Sequence, residues 1–216
     1  MPEALDFKSL HEISNSKLNL LPQLLETYYH LRDMTDYSTY LGYVDNLGIT
    51  SYDLEQIDCN FADANHLGRG VFITAYKGFL RKDPWDLESI VPVAIKIPTT
   101  EMLLETRDRK TYSLLSKELH IIQHLSEHPN IINLHGVSFK DLKPILLVEL
   151  AVSTLDIYLD KRKMGGDPVD WVTKARFCCD VADGLVALHS VKAVHGDVKG
   201  DNILLFENDS VGLLAK

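Results

Sequence analysis

Three polar residues lie close together in one short stretch: Asp197, Lys199 and Asn202 fall within residues 194–205, between apolar side chains. An aspartate can accept the proton of a substrate hydroxyl group. A lysine two residues later can neutralise a phosphoryl group during its transfer, and the following asparagine can offer its amide oxygen to Mg²⁺. A plain turn would need small polar residues but not this order of them. The spacing therefore predicts a phosphoryl-transfer site in which Asp197, Lys199 and Asn202 are catalytic and Asn202 is also a metal ligand.

A lysine at the end of an apolar stretch is a second candidate. Lys96 follows Val93-Ala94-Ile95 and is predicted to lie in a strand. A buried ammonium group needs a counter-ion. Glu118, on the inner side of the next predicted helix, could pair with Lys96 and hold it against phosphate oxygens. The alternatives are a solvent-facing lysine on an edge strand and an ordinary exposed helix acid.

A pair of glycines separated by one residue is the third candidate. Gly68 and Gly70 lie between two predicted strands. Because glycine has no side chain, the backbone here could approach a bulky anion such as a phosphate closely. Most glycine pairs with this spacing are simply turns, so the pair carries weight only together with the other candidates.

The elements that must position these residues are predicted from apolar periodicity. Residues 1–60 contain an amphipathic pattern that predicts a helix at 16–32, which either packs on the rest of the chain or docks a partner. After residue 61 the pattern becomes strand-like, and after residue 150 it becomes helical. The predicted strands cover 72–78, 91–97, 131–139 and 144–150, and the predicted helices cover 111–125, 154–163 and 167–190.

Prolines and small residues refine these elements. Pro92 suits an edge strand because it cannot donate to a sheet. Pro168 suits the first turn of the last helix. Small residues on one face of that helix would let another helix approach closely; the face comprises Trp171, Ala175, Cys178, Ala182, Leu185 and His189.

Composition excludes several classes of function. Of the 216 residues, 45% are hydrophobic and 25% are charged, as in ordinary globular proteins. The net charge of -9 disfavours binding to nucleic acid. No apolar stretch is long enough to predict a membrane span. The three cysteines, Cys59, Cys178 and Cys179, lack the spacing of a zinc site and favour a reducing compartment, which is the cytoplasm or, alternatively, the nucleus. One of the adjacent pair is expected to pack inward.

Taken in order, these motifs resemble the eukaryotic-type protein kinase family. Residues 67–75 are similar to the glycine-rich loop of that family, and residues 195–202 are similar to its catalytic loop. Lys96 resembles the lysine of the third strand, and Glu118 resembles the glutamate that pairs with it. The resemblance covers about residues 61–216.

The resemblance implies an α+β, bilobal protein-kinase-like fold. A complete N-lobe, made of a twisted antiparallel sheet plus one helix, would cover about residues 61–150. A partial helical C-lobe would cover 151–216, and residues 1–60 would form a helical N-terminal extension. Lys199 favours a serine/threonine kinase over a tyrosine kinase. The implied cofactors are ATP and Mg²⁺, and the implied partners are a protein substrate and possible docking partners of the N-terminal helix, without nucleic acid or membrane.

The resemblance also implies an ATP site. Val148 would stand at its gate, backbone groups of Glu149 and Ala151 would meet the adenine, and Ala94 and Leu204 would sandwich the ring. The full set of expected ATP-binding residues is Leu67, Gly68, Gly70, Ala75, Ala94, Lys96, Glu118, Val148, Glu149, Ala151 and Leu204.

The sequence departs from the family pattern at three places. Ile73 replaces the third glycine of the loop, so nucleotide binding should be weaker. Gly196 replaces the arginine before the catalytic aspartate, so control through a phosphorylated activation loop should be absent. The sequence given ends at Lys216, before the family's Asp-Phe-Gly motif, which predicts at most weak Mg-ATP binding and negligible turnover for this chain alone. The alternative function is a catalytically inactive, pseudokinase-like module that binds nucleotide or protein.

Overall fold

The computed structural model describes residues 37–61, 63–70, 73–99, 109–140 and 143–216. The helix predicted at 16–32 lies outside the described residues. Within the described ranges, no helix combines the length and the apolar character that crossing a bilayer would require.

An antiparallel sheet of six strands forms the first half of the molecule. The strands are β1 (Ile57–Asp58), β2 (His66–Arg69), β3 (Ile73–Arg81), β4 (Ile90–Pro98), β5 (Leu134–Lys140) and β6 (Lys143–Glu149). Their order in the sheet is β1-β3-β4-β6-β5, and β2 pairs with the first half of β3. The long strands β3 and β4 pair from Ile73 opposite Pro98 to Arg81 opposite Ile90.

Alternation along the strands gives this sheet two apolar faces. On one face lies a core cluster that residues 52–59 help to cover; its buried members are Leu80, Val93, Ile95, Ile145 and Leu147. On the other face lies helix α2 (Arg109–His124), whose Leu115 and Leu119 pack with Val137 and Leu146 of the sheet. The sheet is therefore a packed layer rather than a half-solvated one.

A helix that precedes the sheet shares this second core. Helix α1 (Tyr37–Asn46) buries Tyr40 and Val44 completely, and both belong to the cluster that contains Leu115 and Leu119. It lies inside the stretch predicted as an N-terminal extension. Part of that stretch is thus integrated into the first lobe.

The second half of the molecule is helical with a small sheet. Helix α3 (Leu155–Met164) begins where the Thr154 hydroxyl accepts a hydrogen bond from the Ile157 amide at 3.3 Å. Helix α4 (Trp171–Ser190) follows, and a three-stranded sheet contains β7 (Ser153–Thr154), β8 (Leu204–Asn208) and β9 (Gly212–Ala215). Phe177 of α4 packs against Leu205 and Ala215 of this sheet.

The two halves meet at the loop after α2. Leu125 and Ile131 pack with residues at and beyond the end of α4, namely Ala187, Val191 and Ala193. Asn130, in the same loop, donates a side-chain hydrogen bond to the carbonyl of Ala215 at 2.9 Å. The molecule therefore has two α+β lobes whose contact is partly apolar and partly hydrogen-bonded.

Several element boundaries differ from the predictions. Helix α4 begins at Trp171 because the Asp170 carboxylate accepts the Thr173 amide at 2.8 Å, so Pro168 precedes the helix instead of lying in its first turn. Strand β4 is central rather than an edge, lying between β3 and β6. Pro92 is tolerated because the pairing with β6 starts one residue later, at Val93.

The face of α4 predicted to meet another helix is largely exposed in the described part of the chain. Trp171 is 82% exposed, and both Cys178 and Cys179 are exposed, so the expectation that one of them packs inward is wrong. The buried residues of the helix are Phe177, Gly184 and Ala187. Periodicity identified a helix but did not tell which of its faces the lobe covers.

Candidate active site

Strand β4 carries Lys96 to the face of the sheet that α2 covers. Its register places Lys96 opposite Ala75 on one side and opposite Leu146 on the other. The Lys96 ammonium group forms an ion pair with Glu118 of α2, and both side chains are about three-quarters buried. The predicted pairing is present, and the alternative of a lysine on an edge strand does not apply.

The loop after α4 gathers Asp197, Lys199 and Asn202. The Asn202 Nδ2 atom donates to both the backbone oxygen and the Oδ2 atom of Asp197, each at 2.8 Å. The Lys199 ammonium group lies 3.1 Å from the same carboxylate oxygen. The turn that permits this arrangement passes through Gly196, whose φ is 75°, a region that favours glycine.

These contacts set the charge state of the carboxyl group. The hydrogen bond from Lys199, and then that from Asn202, hold the pKa of Asp197 below its ordinary value, because both favour the ionised form. The Asp197 side chain is exposed, so a substrate hydroxyl group can reach it.

Helix α3 and the small sheet fix the position of this loop. A single 3₁₀ turn, Gly200–Asn202, lies against the start of α3, so close that a side chain at Gly200 would collide with the Asp156 carboxylate. The Leu155 amide donates to the Ile203 carbonyl at 2.8 Å, and β7 pairs with β8 directly after the loop. The loop is thus anchored at its C-terminal end by backbone pairing.

The predicted glycine-rich loop lies between β2 and β3. The Gly70 amide donates to the Ile73 carbonyl at 2.8 Å. No described atom comes within 4 Å of the position where a side chain would start at Gly68, so packing within the described residues does not require glycine there. Ile73 begins β3 and packs against the core that α1 and α2 share, which gives a physical reason for this departure from the glycine pattern.

The connector between the lobes borders an open cavity of about 740 Å³. Of the residues predicted to bind ATP, Leu67, Glu149 and Ala151 line this cavity. Ala94 and Val148 lie opposite each other in β4 and β6, with Val148 buried. Ala75 and Leu204 are half-buried, and Gly68 and Gly70 are exposed. The predicted ATP residues therefore fall into a cavity group and a sheet group.

One ion pair in this region was not predicted from the sequence. The Lys216 ammonium group lies 2.6 Å from Glu149 Oε1, and its side chain is 8% exposed. The same oxygen accepts the Asn133 amide at 2.7 Å. Because Lys216 and Glu149 are 67 residues apart, no local pattern could have linked them.

The residues in the loop fit a magnesium ion in donor type. Both hydrogen bonds from Asn202 use Nδ2, which leaves the amide oxygen to face a cation. An amide oxygen is a donor that Mg²⁺ accepts, so Asn202 suits the role of metal ligand.

Comparison with known proteins agrees with this arrangement. The family model described as protein tyrosine and serine/threonine kinase matches residues 62–214. A probable LRR receptor-like serine/threonine-protein kinase from Arabidopsis thaliana is 31% identical over 76% of this chain and 15% of its own length. Cold-responsive protein kinase 1 from the same plant is 27% identical over 82% of this chain and 43% of its own length. A probable serine/threonine-protein kinase from Dictyostelium discoideum is 28% identical over 74% of this chain and 16% of its own length.

The chain thus spans less than half the length of each of these relatives. The family match covers both lobes, including the residues of the Lys96–Glu118 pair and of the loop that gathers Asp197 and Asn202. On the strength of that match, the chain belongs to the protein tyrosine and serine/threonine kinase family and has its bilobal α+β fold.

Proposed function

We propose that the protein is a serine/threonine kinase, which transfers the γ-phosphate of ATP to a hydroxyl group of a protein substrate. The observation that carries this proposal is the contact of Asp197 with both Asn202 and Lys199 in an exposed loop. An acid, a cation and an amide oxygen at one point of the surface are the groups that phosphoryl transfer to a hydroxyl requires.

In this mechanism Asp197 orients the substrate hydroxyl and receives its proton. The hydroxyl oxygen forms a bond to the γ-phosphorus while the bond from that phosphorus to the bridging oxygen breaks, and ADP leaves with the electron pair. Because its pKa is lowered, the Asp197 carboxylate is a weak base. It would therefore receive the proton late in the reaction, as expected for a loose transition state.

The two lysines act on the phosphate groups. Lys199, already beside Asp197, can neutralise charge on the transferring group. Lys96, held by Glu118, can bind the phosphates that stay with ADP. Asn202 would hold Mg²⁺, which would supply positive charge to offset the charge that develops on the transferred phosphoryl group.

A matched pair of variants of the full-length protein tests the mechanism. Asp197→Asn should lower transfer of labelled γ-phosphate by about 10²–10⁴-fold, because the proton acceptor is lost, while nucleotide binding persists. Asp201→Asn removes an exposed acid of the same loop and should change transfer by no more than about threefold. Equal transfer by Asp197→Asn and the parent would show that Asp197 is not the acceptor.

The preference for serine and threonine rests on Lys199 and on the relatives. Each of the three relatives described above has a name that identifies it as a protein kinase, and two are named serine/threonine kinases. Phosphoamino-acid analysis of the labelled product should show phosphoserine or phosphothreonine. Phosphotyrosine as the main product would contradict the preference.

A second candidate is a binding module with little or no catalysis. Ile73 favours it, because a β-branched side chain that packs into the core takes the place of a flexible glycine. If this alternative holds, the protein binds nucleotide without transfer, and Asp197→Asn changes nothing. Ile73→Gly should then fail to produce measurable transfer, whereas in a weak kinase it should raise the affinity for ATP.

A further inference from the structure

The orientation of α2 decides whether Glu118 can reach Lys96. Successive residues of a helix are about 100° apart around its axis, so Glu118 lies roughly 60–100° away from Leu115 and Leu119. Both leucines are buried in the core. An element that packs against these two leucines therefore sets the direction in which Glu118 points.

Helix α1 packs against both leucines. Tyr40 and Val44 are completely buried, and they share one core cluster with Leu115 and Leu119. A ring contact continues the interface, with the Tyr43 ring 6.4 Å from that of His120. A long hydrogen bond of 3.5 Å from the Gln123 side chain to the Leu47 carbonyl extends it further along α2. The interface thus follows about two turns of α2.

The segment after α1 is fastened to the sheet by its backbone. The Val137 amide donates to the Thr50 carbonyl at 2.9 Å, and the Tyr52 amide donates to the Val137 carbonyl at 2.8 Å. Gly136, the residue before Val137, has no side chain where the segment crosses it. A Cβ atom there would lie 2.6 Å from the Tyr52 ring and closer still to the Thr50 carbonyl. The sheet edge is shaped to accept this segment.

The other end of α2 is held separately. Leu125, directly after the helix, packs with Ala187 and Val191 of the second lobe. That contact anchors the C-terminal end of α2. The rotation of the helix about its axis at Glu118 is set by the packing of Leu115 and Leu119. The two attachments together fix both position and rotation.

We propose that residues 37–52 form an intramolecular brace. The brace packs against Leu115 and Leu119 of α2 and thereby positions Glu118 against Lys96. The brace lies before residue 62, where the family match begins, so the family resemblance does not account for it. Tyr40 and Val44 are its positioning residues. The effect of the brace on phosphoryl transfer rests on the proposed function, whereas its effect on the Lys96–Glu118 pair does not.

Two measurements on the full-length protein test the brace without relying on activity. Hydrogen exchange monitored by mass spectrometry reports opening of α2, and the rate at which an amine-directed acylating reagent modifies Lys96 reports loss of its ion pair. Tyr40→Ala and the milder Val44→Ala should speed exchange in α2 by about tenfold or more, because each leaves a cavity against Leu115 and Leu119. Both should also raise the labelling rate of Lys96.

Controls separate the brace from general destabilisation. Ser38→Ala changes an exposed position on α1 and should leave both readouts at the parent value. Exchange in α4 should stay unchanged in all variants, which shows that the second lobe remains folded. Glu118→Gln removes the ion pair directly, so adding Val44→Ala to it should give no further increase in Lys96 labelling.

The outcomes are distinct. Labelling of Lys96 at the parent rate in both Tyr40→Ala and Val44→Ala would overturn the brace. An additive effect of Val44→Ala on top of Glu118→Gln would also overturn it, since the helix would then act on Lys96 by another route. If the proposed function fails, phosphate transfer is absent from the parent, yet the exchange and labelling results still decide the brace. If both hold, the KM for ATP should rise in Val44→Ala.

Discussion

Glu149 shows how one side chain can join three segments of this chain. Its Oε1 atom accepts the backbone amide of Asn133 and contacts the Lys216 ammonium group, which also lies 4.8 Å from the centre of the Phe206 ring. Lys216 and Glu149 are mostly buried, so each charge depends on the other for compensation. The connector between the lobes is therefore fixed from the second lobe by an ion pair and not by the backbone alone.

Removing one partner of the Lys216–Glu149 pair should lower the free energy of unfolding by more than the loss of a surface ion pair would. Lys216→Met leaves the Glu149 carboxylate without its cation in a largely buried place, and we expect a loss of ~2–3 kcal/mol in the free energy of unfolding. Denaturant titration measures this, and Glu149→Gln in the same background should then add little. Lys163→Met, at an exposed site on α3, should stay within ~0.5 kcal/mol of the parent; a similar loss there would refute the assignment.

Residue type allowed the Lys96–Glu118 ion pair to be predicted, but it did not allow the Lys216–Glu149 pair to be predicted. Lys96 stood out because a lysine within an apolar strand needs a partner, and the next helix offered Glu118. Lys216 and Glu149 look like ordinary surface charges in the sequence. Their pairing depends on how the lobes meet, which no local pattern encodes.

At the scale of elements, two helical glycines have opposite surroundings. A Cβ atom at Gly184 of α4 would lie 2.8 Å from the Asn130 carbonyl oxygen, where the loop after α2 crosses the helix. At Gly42 of α1 no described atom lies within 4 Å of that position. Gly184 is therefore needed for the close approach of the two lobes, whereas Gly42 merely lowers the stability of its helix.

The same substitution should accordingly have opposite effects at the two sites. Gly42→Ala should raise the free energy of unfolding by ~0.5–1 kcal/mol, because alanine favours the helix and meets no clash. Gly184→Ala should lower it by ~1–3 kcal/mol, since backbone atoms must shift to make room. Urea denaturation of both variants gives the comparison. Stabilisation by Gly184→Ala as well would mean that the lobes do not approach each other so closely.

Four strands and three helices of the described residues were predictable, whereas α1, the other strands and the packing neighbours of each element were not. Periodicity gave four strands and three helices in the right order, with boundaries off by a few residues where a cap such as Asp170 decides the start. Pro92 suggested an edge strand, but β4 is central. The pairing of β4 with β6 covers only Val93–Lys96, so Pro92 has no partner in β6. The packing of α1 on α2 was not foreseen, because the sequence predicted a helix at 16–32 and none at Tyr37–Asn46.

For the molecule as a whole, the buried His120 and the half-buried His135 indicate which part of the structure acid destabilises first. Burial, and then the nearby His124, lower the pKa of His120. Burial and then Lys82 lower that of His135, with Glu149 opposing. His120 lies in α2 beside the brace, and His135 lies in β5, the strand to which the brace is fastened. Both therefore belong to the first lobe, at the attachment of residues 37–52.

Stability should fall as the pH drops below about 6.5, the ordinary pKa of histidine. In this window the unfolded chain binds protons at these two sites while the folded chain does not, so protonation favours unfolding. The carboxyl groups of Asp170 and Asp197, whose pKa values are also lowered, lose their contribution only below about 3.8, so the two effects are separate. Thermal unfolding across pH 5–7.5 should show the decline, with exchange in α2 rising before that in α4. His120→Gln should reduce the dependence of the unfolding temperature on pH. His189→Gln, at an exposed site of α4, should leave that dependence unchanged. Equal slopes for the parent and His120→Gln would mean that the acid-sensitive group lies elsewhere.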